Sequence, residues 1–173
     1  MHMVYEPGVG EGRILQSLHL QGARQSDLRG CELREDAAQA CRVLGYDVST
    51  SDFLSPDFTL DSSMVGLWPM NPPYGGRLNL AQKFIEKALD LANDGAAVWV
   101  LLRMNWLLDG EVKFHRQTWL REGPGTPNVY GLNRRPSFTG DGHADATTYC
   151  WAMWVKGRPH ELPAFKILNC QDR

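Results

Sequence analysis

Apolar and polar positions change period several times along the chain, and each change marks an element. Met1-His2-Met3-Val4-Tyr5 is a short apolar run that stops at Glu6-Pro7-Gly8-Val9-Gly10-Glu11-Gly12. It reads as a buried strand breaking into a glycine turn. Residues 13–21, with Ile14, Leu15, Leu18 and Leu20, carry the pattern of a following helix. A second strand is predicted over 27–33 and a helix over 35–44, where Ala38, Cys41 and Leu44 recur at helical spacing. Residues 48–50 read as a weak third strand ahead of Asp52-Phe53.

The run 63–70 is apolar and short, and ends in Asn71-Pro72-Pro73-Tyr74-Gly75-Gly76. Two consecutive prolines withhold backbone donors, so no ladder continues through them. Over 80–93, Ala81, Phe84, Ile85, Ala88, Leu89 and Ala92 follow the i, i+3, i+4, i+7 rule of an amphipathic helix closed by Asp94-Gly95. Residues 96–103 are almost continuously apolar, the mark of a strand covered on both faces. Residues 104–127 are mixed. Two strands are predicted at 129–132 and 147–156, joined by a polar loop over 134–146, and 157–173 reads as a short tail.

Strands alternate with helices and become consecutive only at the end. That order predicts an α/β fold: a Rossmann-like three-layer α/β/α sandwich around a mostly parallel sheet, with one antiparallel strand added late. A length of 173 residues suits one domain over 1–173, with no room for a second, separate one. Eighteen Lys and Arg against twenty Asp and Glu, a net charge of −2, exclude a strongly basic nucleic-acid-coating protein and an acidic disordered tail. No apolar run is long enough for a membrane span and no signal peptide is apparent, so a cytoplasmic protein is expected. The four cysteines are isolated and the five histidines scattered, so reduced thiols and no metal site are expected.

The candidate chemistry lies where strands end. Gly8, Gly10 and Gly12 let the backbone turn tightly and approach a ligand. Their spacing differs from the Gly-x-Gly-x-x-Gly of dinucleotide binders, and Glu6 ahead of them would repel a pyrophosphate. A carboxylate there suits an ammonium group, which points to a nucleoside with a cationic amino-acid end. Glu32, after the second strand, is placed to accept from ribose hydroxyls. Asp52, after the third, can hold the exocyclic amine of an adenine, with Phe53 against its ring. At Asn71-Pro72-Pro73-Tyr74, the Asn71 side-chain oxygen and the Pro72 carbonyl can accept both hydrogens of a planar amine. Pro72 and Pro73 would hold those acceptors still, and Tyr74 offers a face for an extruded base.

These motifs resemble the amino-methyltransferase group of class I S-adenosylmethionine-dependent methyltransferases, most closely the small phage- and prophage-type DNA adenine-N(6) methyltransferases. Arg134-Arg135-Pro136-Ser137-Phe138-Thr139-Gly140-Asp141-Gly142, followed by Asp145-Ala146-Thr147, strengthens the narrower likeness. The resemblance spans most of 4–156. It implies S-adenosyl-L-methionine as methyl donor, without a metal, held by Glu6, Pro7, Gly8, Gly10, Gly12, Glu32, Leu33, Asp52, Phe53 and Asn71. Asn71, Pro72, Pro73 and Tyr74 would form the catalytic loop, and DNA would be the partner. Similar tetrapeptides act on RNA bases and on protein glutamine, which keeps those substrates open, as it does a non-catalytic binding protein. The family's helix ahead of the first strand has no counterpart before Glu6, so a more open cofactor site, or one completed by another segment or subunit, is expected. Between 103 and 135, Arg103, Lys113, Arg116, Arg121, Arg134 and Arg135 outnumber Asp109, Glu111 and Glu122, with Trp106, Trp119 and Tyr130 interleaved. That excess suits either a phosphate backbone or a solvated surface.

Overall fold

A computed structural model describes residues 3–74, 79–108, 115–136, 147–158 and 165–168. They fall into two compact units, the first formed by Met1–Trp99 with Val155–Arg158 and the second by Val100–Trp154 with Pro159–Arg173.

In the first unit, β1 (Met3–Pro7), β2 (Leu28–Glu32), β3 (Asp47–Thr50) and β4 (Val65–Met70) lie in the order β3-β2-β1-β4, with the opening residues of β5 (Ala97–Arg103) next. β1 pairs in parallel with both β2 and β4, and β2 with β3. Strand ends that follow one another in sequence therefore share one edge. The two faces are covered by different segments, because side chains alternate along a strand. On one face Val4, Leu28 and Val48 pack with Leu15 of α1 (Arg13–Leu20) and with Ala38 and Cys41 of α2 (Glu35–Val43). On the other, Tyr5 packs edge-on against Phe58 and at a tilt against Trp68, and Phe84 of α3 (Leu80–Leu91) meets Phe53. Helices on both faces of a parallel sheet give this unit the predicted three layers.

The connection from β3 to β4 is irregular throughout, and side chains cap its turns locally. Asp52 Oδ1 accepts from Leu54 N at 2.8 Å, Ser55 Oγ from Asp57 N at 3.2 Å, and Asp61 Oδ1 from Ser63 N at 3.0 Å. Short polar side chains that satisfy the backbone two residues on favour such turns over a helix. Where this connection crosses the sheet it walls a cavity of about 400 Å³ lined by Tyr5, Arg29, Asp47, Ser49, Asp57 and Phe58 among others.

In the second unit the rest of β5 is followed in order by β7 (Tyr149–Val155), β6 (Asn128–Leu132) and β8 (Phe165–Leu168). β6 and β7 are antiparallel, the late reversal expected from two consecutive strands. The sheet as a whole is mixed and mostly parallel. Two expectations need correction. Part of the predicted tail, 165–168, is a strand, paired in parallel with β6 through Val129–Leu132. Among its described residues the mixed region 104–127 holds two short helices, α4 (Met104–Leu108) and α5 (Arg116–Glu122), with Trp106, Leu107 and Leu120 buried. Cys31, Cys41 and Cys150 are free, buried thiols. Among the described residues no helix is long and apolar enough to cross a membrane.

Candidate functional site

Parallel pairing brings the predicted residues of the first unit to a single edge. Across the strand order β3-β2-β1-β4, that edge presents Asp52, then Glu32 and Leu33, then the glycine turn, then Asn71. At roughly 4.8 Å per strand the row is about 14 Å long, enough for a nucleoside carrying an amino-acid arm. The carboxyl edge of such a sheet is where α/β folds bind ligands.

The glycine turn is built by hydrogen bonds to the neighbouring strand. Gly8 N and Val9 N both donate to Cys31 O, at 2.9 and 3.0 Å, and Gly12 N returns to Val9 O. Gly8, Gly10 and Gly12 have φ of 71°, 57° and 76°, a region that disfavours any side chain. A Cβ on Gly8 would lie 3.3 Å from Phe84 Cε1, and one on Gly12 3.0 Å from Cys41 Sγ. Above Gly10 there is nothing within 4 Å, so the backbone there is open to a ligand. One contributor was absent from the expectations. Gly30, in mid-β2, would set a Cβ 2.3 Å from Val9 Cγ2 and 2.4 Å from Glu6 O, so only a glycine admits the turn against β2.

The two glutamates do more inside the protein than the spacing indicates. Glu6 is 2% exposed, turned toward the start of α1, where the Leu15 amide supports it. Burial holds its carboxyl well above the usual carboxylate range, and Glu32 adds to this by charge repulsion. Its Oε2 is buried without a partner. An unsatisfied buried carboxylate oxygen is costly, and a ligand cation would satisfy it. Glu32, 8% exposed, accepts from Gly10 N through Oε2 at 2.8 Å and from Arg34 N through Oε1 at 3.0 Å. It thus ties the glycine turn to the end of β2.

Leu33, beside it, is 67% exposed, an apolar surface at the place where a nucleoside base would need one. Asp52 is exposed and, among the described residues, bonded only to its own turn. The Phe53 ring is 2% exposed and held between Phe58 and Phe84, each 5.2 Å away centre to centre, so it supports the turn from beneath. Pro7 and Pro72 are fully buried and Pro73 exposed. Asn71 and Tyr74 are partly buried, and Tyr74 Oη donates to Asn71 Oδ1 at 2.5 Å. That bond fixes the amide oxygen on the side of the tyrosine ring, an i to i+3 contact that the motif alone did not announce.

Several expected residues fall elsewhere. Gly75 and Gly76, Asp109, Glu111 and Lys113, and 137–146, which include Asp141 and Asp145, lie outside the described residues. Within the second unit, Arg103 Nε donates to Tyr149 Oη at 3.0 Å. Arg121, Arg134 and Arg135 are exposed, whereas Trp106 is core.

The fold is that of class I S-adenosylmethionine-dependent methyltransferases. A putative enzyme of that class from Listeria monocytogenes superposes with a TM-score of 0.73 over 96% of this chain and 58% of its own, at 13% identity. The methyltransferase subunit of a type I restriction-modification system from Streptococcus thermophilus gives 0.70 over 91% and 40%, at 17% identity. The plantazolicin methyltransferase BpumL, solved with SAH, gives 0.59 over 91% and 77%, at 13% identity. The chain thus spans just over half the length of the first of these and less than half of the second. No family profile and no curated protein sequence matches it.

Proposed function

We propose that the chain is an S-adenosylmethionine-dependent methyltransferase acting on the exocyclic amine of adenine in DNA. The observation that carries this reading is the order of groups along the sheet edge: Asp52, Glu32 with Leu33, the glycine turn over Glu6, and Asn71 with Tyr74. It follows a nucleoside from base to ribose to a cationic amino-acid arm, with an amine acceptor at the far end. The residues fit the cofactor on structural grounds. Glu6 has a buried oxygen in need of a partner, Gly10 is open, and Leu33 is exposed.

When bound, the cofactor supplies a methyl group already activated on a sulfonium. The protein's task is then to position and activate the amine. Base stacking on Tyr74 contributes about 1–3 kcal/mol. Asn71 Oδ1 and the Pro72 carbonyl accept the two amine hydrogens, which withdraws the lone pair from the ring and places negative potential beside the nitrogen as it gains charge. The amine held by Asn71 and Pro72 would take the methyl group as the cofactor leaves as a neutral thioether, and the nitrogen would release its extra proton to solvent. Alignment of acceptor and donor supplies much of the rate. DNA is favoured by the likeness of the tetrapeptide and of 134–147 to DNA adenine enzymes, and by a fold neighbour from a restriction-modification system.

The test is transfer of labelled methyl from the cofactor to a mixture of DNA, RNA and protein, followed by digestion with DNase, RNase or protease. Label released by DNase as N6-methyladenine, lost in Asn71→Ala and Tyr74→Ala while both still bind cofactor, is the expected result. Label in RNA or protein alone would refute the choice of DNA. No cofactor binding by calorimetry would refute the enzyme.

A further inference from the structure

Lys87 belongs to none of the motifs, yet it grips the turn that carries Asp52. It lies on α3 one turn after Phe84, the residue packed against Gly8 and Phe53. Its Nζ donates to Ser55 O at 2.6 Å and sits 5.1 Å from the Phe58 ring centre and 5.7 Å from that of Phe53. Among the described residues it forms no ion pair; its charge is directed at one backbone carbonyl and two ring faces. A cation so placed is held by ring quadrupoles and by a charge-assisted hydrogen bond.

Ser55 is the closing corner of the Asp52 turn. Ser55 N donates to Asp52 O at 3.1 Å, and Ser55 O also receives Phe58 N at 3.2 Å. The Asp52 carboxylate itself is exposed and, among the described residues, has only Leu54 N, within the same turn, to orient it. Its position is fixed on the strand side by Ser51 N, which donates to Glu32 O at 2.9 Å, and by the buried Phe53; on the far side of the turn it is fixed through Ser55, which Lys87 holds from below beside the Phe53–Phe58–Phe84 cluster. We infer that Lys87 is a positioning residue that sets Asp52 for recognition of the cofactor's adenine amine, and so determines specificity for adenine over a base with a carbonyl at the same place. This inference rests on the proposed cofactor site.

The experiment compares binding of S-adenosylhomocysteine with that of its deaminated counterpart, in which hypoxanthine replaces adenine, by calorimetry. A hydrogen bond to a carboxylate predicts roughly 10- to 100-fold preference for adenine in the wild type. Asp52→Asn should abolish the preference directly. Lys87→Met should lower it at least fivefold, on the order of a kcal/mol, while the protein keeps its circular dichroism and a cooperative melt. Lys87→Arg, which can still donate to Ser55 O and cover the rings, should keep the preference. If Lys87→Met fails to fold, Lys87→Gln, which keeps most of the stem and loses the charge, makes the same comparison. A wild-type preference in Lys87→Met alongside its loss in Asp52→Asn overturns the role of Lys87 alone. No binding of S-adenosylhomocysteine by the wild type overturns the cofactor reading and this inference with it, whereas binding with a preference unmoved in Asp52→Asn overturns the adenine role of Asp52 and this inference while the cofactor reading stands.

Discussion

Glu32→Gln separates a residue that merely waits for a ribose from one that builds the site before any ligand arrives. The carboxylate bridges Gly10 N at 2.8 Å and Arg34 N at 3.0 Å with one oxygen each. Glutamine has one oxygen, so in either orientation its NH2 meets a backbone N–H and one donor loses its acceptor. The lost bond is charge-assisted and nearly buried, which corresponds to about 1.5–3 kcal/mol. The surviving bond becomes neutral and weaker. The ion pair from Arg34 Nε to Oε1, 3.4 Å long, adds little because the arginine side chain is 59% exposed. A total near 2–3 kcal/mol is expected in the ligand-free protein, or roughly 5–10 °C in melting temperature for a chain of this size. Urea titration and thermal melts, followed by tryptophan fluorescence, measure it without any cofactor. Arg34→Ala is the control and should change stability by less than about 1 kcal/mol. A ligand-free Glu32→Gln protein as stable as the wild type would refute the bridging role and leave Glu32 a ligand contact only.

Glu6→Gln should raise the stability of the ligand-free protein at neutral pH. The folded state holds the Glu6 proton more tightly than the unfolded chain does, so stability falls as pH rises from the ordinary carboxylate range through the raised value. The variant should therefore gain most at high pH and nothing below pH ~3, where Glu6 is protonated in both states, and it should bind cofactor more weakly; a pH-independent gain would contradict this. Gly30→Ala places its Cβ against Val9 Cγ2 and the Glu6 carbonyl, and backbone cannot step aside, so a loss at or beyond the ~1–3 kcal/mol of ordinary overpacking is expected in urea titration. Gly12→Ala combines a left-handed φ of 76°, costing about 1–2 kcal/mol, with a 3.0 Å approach to Cys41 Sγ. In a double-mutant cycle, Cys41→Ala should relieve the contact and leave the backbone cost, and strict additivity would show that the sulfur plays no part.

What could be read in the sequence was what local pattern encodes. The helices around Ala38–Cys41 and Ala81–Ala88 show in their spacing, and β4 stops at Met70 because Asn71 is followed by two prolines. The order of acids at successive strand ends was also legible, because parallel pairing turns chain order into edge position. β8 was not, since Phe165–Leu168 is four residues long and is recognisable only beside β6. There Gly131 leaves room for Phe165, whose ring would lie 3.3 Å from a Cβ at that glycine. Trp106, Leu107 and Leu120 were equally silent, because helices of five and seven residues hold too little periodicity. Within the site, residue types were predicted and their internal partners were not. Glu32 meets Gly10 from 22 positions away, and Lys87 meets Ser55 from 32, distances at which a single sequence carries no pairing signal.

α3 touches the sheet edge at two places, Gly8 of the glycine turn through Phe84 and the Asp52 turn through Lys87, two residues three positions apart on one rigid rod. A ligand reaching from the Asp52 turn to the glycine turn would therefore have both ends held by a common jaw. A fragment bearing only the base, or only the amino-acid arm, would have to fix the jaw alone, while the joined molecule fixes it once. The edge is in this sense a gauge for length, rewarding whichever ligand reaches from one tooth to the other.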